Sequence, residues 1–207
     1  MIVGIIGAGT MGSGIAQAFA QVDGYEVRLC DINEEFAANG KLRITKTLEK
    51  RVAKGKMAKE DADRIIAKIK TGTKEICSDC DLIVEAAVEN VDIKRQTFRE
   101  LDKICKPECI FTTNTSSLSI TQIAAGLEHH VVGMHFFNPA PVMKLVEIIA
   151  GLNTPKEVAD RVVAIATEIG KTPVEVREAA GFVVNRILIP MINEAIGIYA
   201  EGEASAE

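Results

Sequence analysis

The sequence contains no tryptophan and few aromatic residues, so its core must consist mainly of aliphatic side chains. No apolar stretch is long enough to cross a membrane, and we expect no transmembrane segment. The net charge of −5 lacks the positive excess that favours nucleic acid, so nucleic-acid binding is not expected. At 207 residues, 47% of them apolar, the chain can form one large or two small domains with a buried core.

The cysteines are odd in number and scattered, and Met1 leads directly into an apolar strand. These features predict reduced thiols, no signal peptide and a cytoplasmic protein. Cys77 and Cys80, with Cys105 and Cys109, loosely resemble paired metal ligands. Because the gap between the pairs is long and two of the thiols flank predicted buried strands, we expect no metal site.

The chain opens with an apolar strand, a glycine-rich turn and a helix. Residues 2–6 are apolar, the motif GAGTMG follows, and residues 13–21 have a helical pattern. This order is typical of a dinucleotide-binding βαβ unit, in which glycines let the backbone approach a pyrophosphate and the helix N-terminus binds it. The predicted cofactor contacts in this turn are Gly7, Gly9, Thr10, Met11 and Gly12.

An acidic residue, Asp31, ends the second predicted strand nineteen residues after Gly12. A carboxylate at this position accepts hydrogen bonds from the adenosine ribose and repels a 2′-phosphate. No arginine follows Asp31 directly, so the sequence favours NAD over NADP. The alternative is a tight strand-to-helix turn that binds nothing.

A strongly basic segment follows Asp31. The apolar period changes from two to about 3.6 residues over 34–54 and again over 59–70, which predicts a helical hairpin inserted in the sheet. Eight basic residues and one acidic residue lie from Phe36 to Lys59, a net charge of +7. This concentration of charge suggests an anionic ligand, and a solvated helix face is the alternative.

Two further apolar strands are predicted at residues 81–86 and 109–113, each followed by polar residues. Ligands of open α/β sheets bind beyond the carboxyl ends of the strands, which places Glu89 and Ser116 at the functional edge. For Ser117 we favour a helix-capping role.

A histidine and a glutamate face each other in the next predicted hairpin. Strands at residues 130–137 and 144–149 flank a proline-rich turn centred on Pro141. Antiparallel pairing about that centre sets His135 opposite Glu147. Such a carboxylate holds the imidazole in one tautomer and stabilises its protonated form, which is the arrangement of a general base. A purely structural histidine is the alternative.

The remaining chain predicts a helix at residues 156–169, an edge strand at 173–176 and a long helix from Gly181 that is kinked at Pro190. The last helix is apolar almost all round, so we expect it to be buried. The fold class is thus α/β, a Rossmann-type doubly wound sheet with an inserted helical hairpin (about 34–70). We predict a nucleotide-binding domain at 1–178 and the start of an all-α domain at 179–207.

Five motifs together resemble the L-3-hydroxyacyl-CoA dehydrogenase family, above all its short-chain bacterial members, the 3-hydroxybutyryl-CoA dehydrogenases. In order they are GAGTMGSGIAQ, DLIVEAAVEN, NTSSLSIT, GMHFFNPAPVMKLVEII and GFVVNRILIPMINEA. The resemblance covers essentially the whole chain. It implies NAD-dependent oxidation of a 3-hydroxyacyl-CoA, or the reverse reduction of acetoacetyl-CoA, as in fatty acid and butyrate metabolism.

The resemblance also implies residue roles. His135 would be the catalytic base with Glu147 as its partner, and Ser116 and Asn185 would bind the substrate oxygen. Asn138 would contact substrate and cofactor, while Glu89 and Lys94 would line the nicotinamide side of the NAD site. Lys54 and Thr47 would contact coenzyme A.

Members of this family continue for several more helices, which form the dimer interface and part of the acyl pocket. The resemblance therefore implies a homodimer through that region and a chain that is truncated here. Two alternatives stay open at this point: a dehydrogenase of free 3-hydroxy acids, and a non-catalytic NAD-binding protein.

Overall fold

The molecule is built on one eight-stranded sheet, and the computed structural model describes all residues, 1–207. Its strands are β1 (Ile2–Ile6), β2 (Glu26–Cys30), β3 (Ile69–Gly72), β4 (Leu82–Glu85), β5 (Ile110–Thr113), β6 (Val131–Phe136), β7 (Leu145–Ala150) and β8 (Thr172–Arg177). Its helices are α1 (Thr10–Ala20), α2 (Glu34–Ala53), α3 (Lys59–Ala67), α4 (Val91–Leu101), α5 (Ile120–Ala124), α6 (Lys156–Glu168) and α7 (Val184–Glu201).

The strand order is β3-β2-β1-β4-β5-β6-β7-β8. All neighbouring strands are parallel except β6 and β7, which pair antiparallel. The chain winds outward from β1 in one direction and from β4 in the other, so a crevice opens at the carboxyl ends of these two central strands. The predicted doubly wound, Rossmann-type sheet is confirmed.

The helical pair after β2 is present, but the predicted end of its second helix is wrong. Helix α3 stops at Ala67, and Ile69–Gly72 forms β3, which pairs parallel with β2. Ile69 is buried in the main core beside Val27, and this pairing stabilises extended backbone where the local apolar period favoured helix.

The sheet separates a larger aliphatic core from a smaller one. The smaller core includes Ile83, Phe98 and Phe111 and contains all five cysteines, which are buried and free. The Sγ atoms of Cys30 and Cys77 lie 3.4 Å apart without a disulfide. No group of three or more histidine, cysteine or acidic side chains is arranged to bind a metal. The thiols therefore act here as small apolar side chains.

The second half of the sheet follows the sequence pattern closely. Helix α6 spans Lys156–Glu168, where 156–169 was predicted, and β8 is the edge strand expected around 173–176. Pro173 is tolerated in β8 because only one side of an edge strand is paired.

Helix α7 is not buried, so the prediction of a buried C-terminal helix is wrong. No residue of α7 is buried, and Ile187, Ile189 and Tyr199 each expose 60% or more of their surface. The helix runs on through Pro190. An apolar helix is stable when other elements bury its side chains, but no other element of these 207 residues buries this helix. No helix of the molecule is long and apolar enough to cross a membrane.

Candidate active site

The opening turn leaves open space where a phosphate would approach. Gly7 has a φ of +97°, and a Cβ there would lie 2.7 Å from the carbonyl oxygen of Ala86. A Cβ on Gly12 would lie 1.7 Å from the carbonyl oxygen of Gly7, because α1 packs directly on the end of β1. By contrast, a Cβ on Gly9 would have no neighbour within 4 Å. Gly9 caps α1 without any side-chain acceptor, so the amides of the first turn are free to bind an anion.

Asp31 lies beside this turn at the end of β2. One carboxylate oxygen accepts from the amide of Ala8 at 2.6 Å and the other from the amide of Ile32 at 2.8 Å. The carboxylate lines a cavity of about 600 Å³ together with Gly9, Arg43 and Lys46. Each oxygen retains a further lone pair for a ribose hydroxyl.

The positions of Arg43 and Lys46 could not be inferred from the sequence. Both belong to the basic segment of α2 but line the Asp31 cavity, about a turn of helix apart on one face. The sequence shows no cation next to Asp31, and the fold brings these two from twelve and fifteen positions further along the chain.

His135 and Glu147 form a buried pair in the β6–β7 ladder. They are direct cross-strand partners, so the predicted register is confirmed. Nδ1 of His135 lies 2.8 Å from Oε2 of Glu147, and the two residues are 4% and 1% exposed. Because a carboxylate accepts at Nδ1, that nitrogen carries the hydrogen and Nε2 is left with a lone pair.

The second oxygen of Glu147 is also occupied. Its Oε1 accepts from the amides of Val183 at 3.1 Å and Val184 at 3.0 Å, at the start of α7. The imidazole contacts two aromatic rings, with its centroid 4.6 Å from that of Phe137 and 5.6 Å from that of Phe182. The pair is thus held by three separate segments of the chain.

Glu89 and Ser116 meet beyond the ends of β4 and β5, as their positions in the sequence predicted. Oε1 of Glu89 accepts from the amide of Ser116 at 2.8 Å and from the hydroxyl of Thr115 at 2.5 Å. The loop that carries Ser116 is therefore fixed by Glu89. Ser117 is not the cap of α5; that role belongs to Ser119, whose hydroxyl accepts from the amide of Gln122.

Lys94 is buried behind this loop. Its Nζ donates to both oxygens of Glu85 at 2.7 and 2.8 Å and lies 3.4 Å from Glu89. Glu85 is fully buried at the end of β4 and also accepts from the hydroxyl of Thr113. Lys94 is 1% exposed, and its donors face the acidic groups of the chain. Its positive charge therefore stabilises the carboxylate of Glu89 from the protein interior. The sequence did not predict a role for Glu85. The signal that could have indicated it is an acidic residue at the end of an apolar strand.

Asn138 lies on the turn between β6 and β7 and faces α2. With Thr47 and Ser13 it lines a cavity of about 170 Å³. Beneath the turn, Nζ of Lys171 donates to the carbonyl oxygens of Ala140 at 2.5 Å and Met143 at 2.9 Å. Burial without an acidic partner lowers the pKa of Lys171, and its two bonds fix the turn.

The remaining predicted residues lie toward the periphery. Asn185 is in the first turn of α7, directly after the amides that bind Glu147. Lys54 is the exposed C-cap of α2 and lines neither the Asp31 cavity nor the Asn138 cavity. The structure thus gathers the histidine, serine and glycine-turn residues on one edge of the sheet, with Lys54 further out.

The mostly parallel sheet has free amides where a pyrophosphate would bind and a carboxylate where a ribose would bind. These features define a dinucleotide-dependent enzyme of the Rossmann class. The histidine at the same edge fits an oxidoreductase.

Comparison with family models agrees with this class. The model described as "3-hydroxyacyl-CoA dehydrogenase, NAD binding domain" matches residues 2–179, and the C-terminal domain model of that family matches residues 181–207. The chain belongs to the 3-hydroxyacyl-CoA dehydrogenase family, and its cofactor is NAD.

Known relatives are longer than this chain. It is 49% identical to a 3-hydroxybutyryl-CoA dehydrogenase of Clostridioides difficile, covering all of this chain and 74% of that protein. Identity to human mitochondrial hydroxyacyl-coenzyme A dehydrogenase is 41%, over 99% of this chain and 68% of the relative. The crystal structure of (S)-3-hydroxybutyryl-CoA dehydrogenase from Ralstonia eutropha superposes with a TM-score of 0.92 at 43% identity, covering 99% and 73% of the two chains.

Substitutions at Gly9 and Gly12 can separate the glycine needed for cofactor binding from the glycine needed for the fold. We expect Gly9→Ala to leave the melting temperature unchanged and to weaken NADH binding at least tenfold, because the new methyl group fills the phosphate space. Gly12→Ala should lower the melting temperature as well, because α1 must move off β1. Thermal unfolding and NADH fluorescence titration measure both effects. Parent-like NADH affinity in Gly9→Ala would contradict the phosphate assignment.

Asp31 should determine the preference for NAD over NADP. Asp31→Ser removes the carboxylate but keeps Arg43 and Lys46, so we expect NADH affinity to fall about 10- to 100-fold and NADPH affinity to rise. Fluorescence titration with both cofactors measures the change. Glu35→Ser, an exposed acid on the first turn of α2, is the control and should change neither value. An unchanged NADH to NADPH ratio in Asp31→Ser would rule out this role.

Proposed function

We propose that this protein oxidises the 3-hydroxyl group of a short-chain 3-hydroxyacyl-CoA, 3-hydroxybutyryl-CoA in particular, or reduces acetoacetyl-CoA in reverse. The observation that carries the proposal is the bond from Nδ1 of His135 to Glu147. It leaves Nε2 with a lone pair at the edge of the sheet where the cofactor site lies. The bacterial relatives named as 3-hydroxybutyryl-CoA dehydrogenases support the substrate class.

The proposed chemistry divides between the cofactor and the protein. Bound NAD supplies the hydride acceptor. Nε2 of His135 takes the proton of the 3-hydroxyl, and Glu147 stabilises the imidazolium that results. In the reverse reaction the imidazolium returns that proton to the oxygen of the 3-oxo group.

The substrate oxygen needs donors where negative charge develops. We assign this role to the Ser116 hydroxyl and the Asn185 amide. Support for Ser116 comes from its loop, which Glu89 holds through the Ser116 amide while the side chain is left free. Support for Asn185 comes from its place one residue after the amides bound to Glu147.

The basic segment divides into parts with different surroundings. Lys41 donates to the carbonyl oxygen of Ile69 and is structural, while Arg43 and Lys46 line the Asp31 cavity. The remaining basic residues of this segment are exposed along and beyond the second half of α2: Lys50, Arg51, Lys54, Lys56 and Lys59. We assign coenzyme A to this exposed part, with Thr47 and Lys54 as contacts, because its phosphates require positive charge.

The C-terminal helix supports a proposal about domains and assembly. Since α7 exposes apolar side chains along its length, we propose that it opens a second, helical domain after residue 178 and that a homodimer forms through that region. The cytoplasmic location stays a prediction.

Replacing the proposed base tests the mechanism. We expect His135→Gln to lower turnover of acetoacetyl-CoA by roughly 10²–10⁴, since a proton acceptor is lost, while NADH affinity is unchanged. The loss of NADH absorbance measures turnover. His130→Gln is the matched control, because His130 is exposed, and it should keep parent activity.

The same assay separates the alternatives. Turnover in His135→Gln equal to that of the parent would refute the assignment of the base. Faster oxidation of free 3-hydroxybutyrate than of its CoA thioester would favour a free-acid dehydrogenase. NADH binding by the parent without any turnover would favour a non-catalytic NAD-binding protein.

A further inference from the structure

The segment that joins the sheet to α7 contains the one non-glycine residue with a positive φ in the molecule. Phe182 has a φ of +51°, and Gly181 before it has a φ of +73°. A bulky aromatic residue is rarely found in the left-handed region, because its Cβ crowds the backbone. Such a conformation persists only where the surroundings hold it in place.

Burial of the Phe182 ring keeps the residue in this left-handed conformation. Phe182 is 2% exposed, whereas no residue of the helix that follows it is buried. Its ring belongs to the smaller core and lies 5.6 Å from the imidazole of His135, with the two ring planes inclined at 57°. The side chain is therefore inserted beside the proposed base, and the backbone accepts an unfavourable angle to allow this.

The turn at Gly181 and Phe182 directs the next two amides toward Glu147. The amides of Val183 and Val184 both donate to Oε1, and His135 donates to Oε2. No lysine or arginine forms an ion pair with Glu147. The carboxylate, 1% exposed, thus depends on backbone amides at a helix N-terminus for compensation on one side.

We propose that Phe182 is a positioning residue for the reaction. Its buried ring keeps residue 182 in the left-handed conformation, this conformation aims the amides of residues 183 and 184 at Glu147, and the fixed carboxylate holds His135 as the Nδ1–H tautomer. The inference rests on the proposed function for its catalytic meaning. The tautomer of His135 can be measured in the absence of cofactor and substrate.

A different view of Phe182 is that it merely fills the smaller core. That role predicts lower stability for any smaller side chain but no change in the hydrogen-bonding state of His135. The tautomer of His135 therefore separates the two roles.

Nitrogen NMR of the imidazoles in the 207-residue chain is the test. The chain has three histidines, and the His135 signals are assigned by their loss in His135→Gln. The parent should show His135 as the Nδ1–H form. In Phe182→Ala we expect a mixture of both tautomers and, in the activity assay, a fall in kcat of about tenfold or more, the effect of losing one hydrogen bond to a charged group. NADH affinity should not change.

Two further variants keep the outcome decisive. Leu152→Ala changes a side chain that is 84% exposed in the loop after β7, away from Glu147, so it should match the parent in both tautomer and kcat. Phe182→Leu keeps an apolar side chain in the core and serves if Phe182→Ala fails to fold; it too should give mixed tautomers.

A folded Phe182→Ala or Phe182→Leu with His135 wholly in the Nδ1–H form would overturn the proposal. Mixed tautomers already in the parent would overturn it too. Failure of the proposed function looks different: the parent would then lack turnover, while the NMR result for each variant would stand.

Discussion

The fixed carboxylate of Glu147 is the interaction on which the site depends. It is almost fully buried and accepts from one imidazole and two backbone amides, and no cationic lysine or arginine side chain pairs with it. A buried charge is tolerated only when its lone pairs are satisfied, so the three donors must stay in place together. This requirement joins the β6–β7 ladder to the start of α7, and it fixes which nitrogen of His135 carries the hydrogen.

The sheet topology places that pair at the same edge as the glycine turn. Strands β1, β4, β5 and β6 are neighbours and parallel, so their carboxyl ends lie along one edge. The glycine turn follows β1, the Glu89 and Ser116 loops follow β4 and β5, and His135 lies one residue before the end of β6. Asn114, directly after β5, links the ends of β5 and β6, because its side-chain oxygen accepts from the amide of Phe136 at 2.8 Å. The proposed transfer of a hydride to NAD and of a proton to His135 requires both groups at this shared edge.

The sequence predicted what local periodicity and pairing rules determine. The partnership of residues 135 and 147 followed from strand period and a turn centred on Pro141, because an antiparallel register is set by its turn. Strand β3 was missed because Lys68 and Lys70 flank Ile69 and continue a helical pattern, and only pairing with β2 makes the segment extended. The proximity of Arg43 to Asp31, the bonds from Glu85 to Lys94 and the left-handed backbone of Phe182 arise from tertiary packing. The exposure of α7 depends on what else covers it, which an apolar pattern does not encode.

We propose that Glu147 orients His135 as the proton acceptor. The most direct measurement is the turnover of acetoacetyl-CoA and NADH by Glu147→Gln. A glutamine amide keeps the shape of the side chain but can donate to Nδ1, which moves the imidazole hydrogen to Nε2 and removes the lone pair. We expect turnover to fall by roughly 10²–10⁴ with NADH affinity unchanged. Parent-like turnover in Glu147→Gln would contradict it.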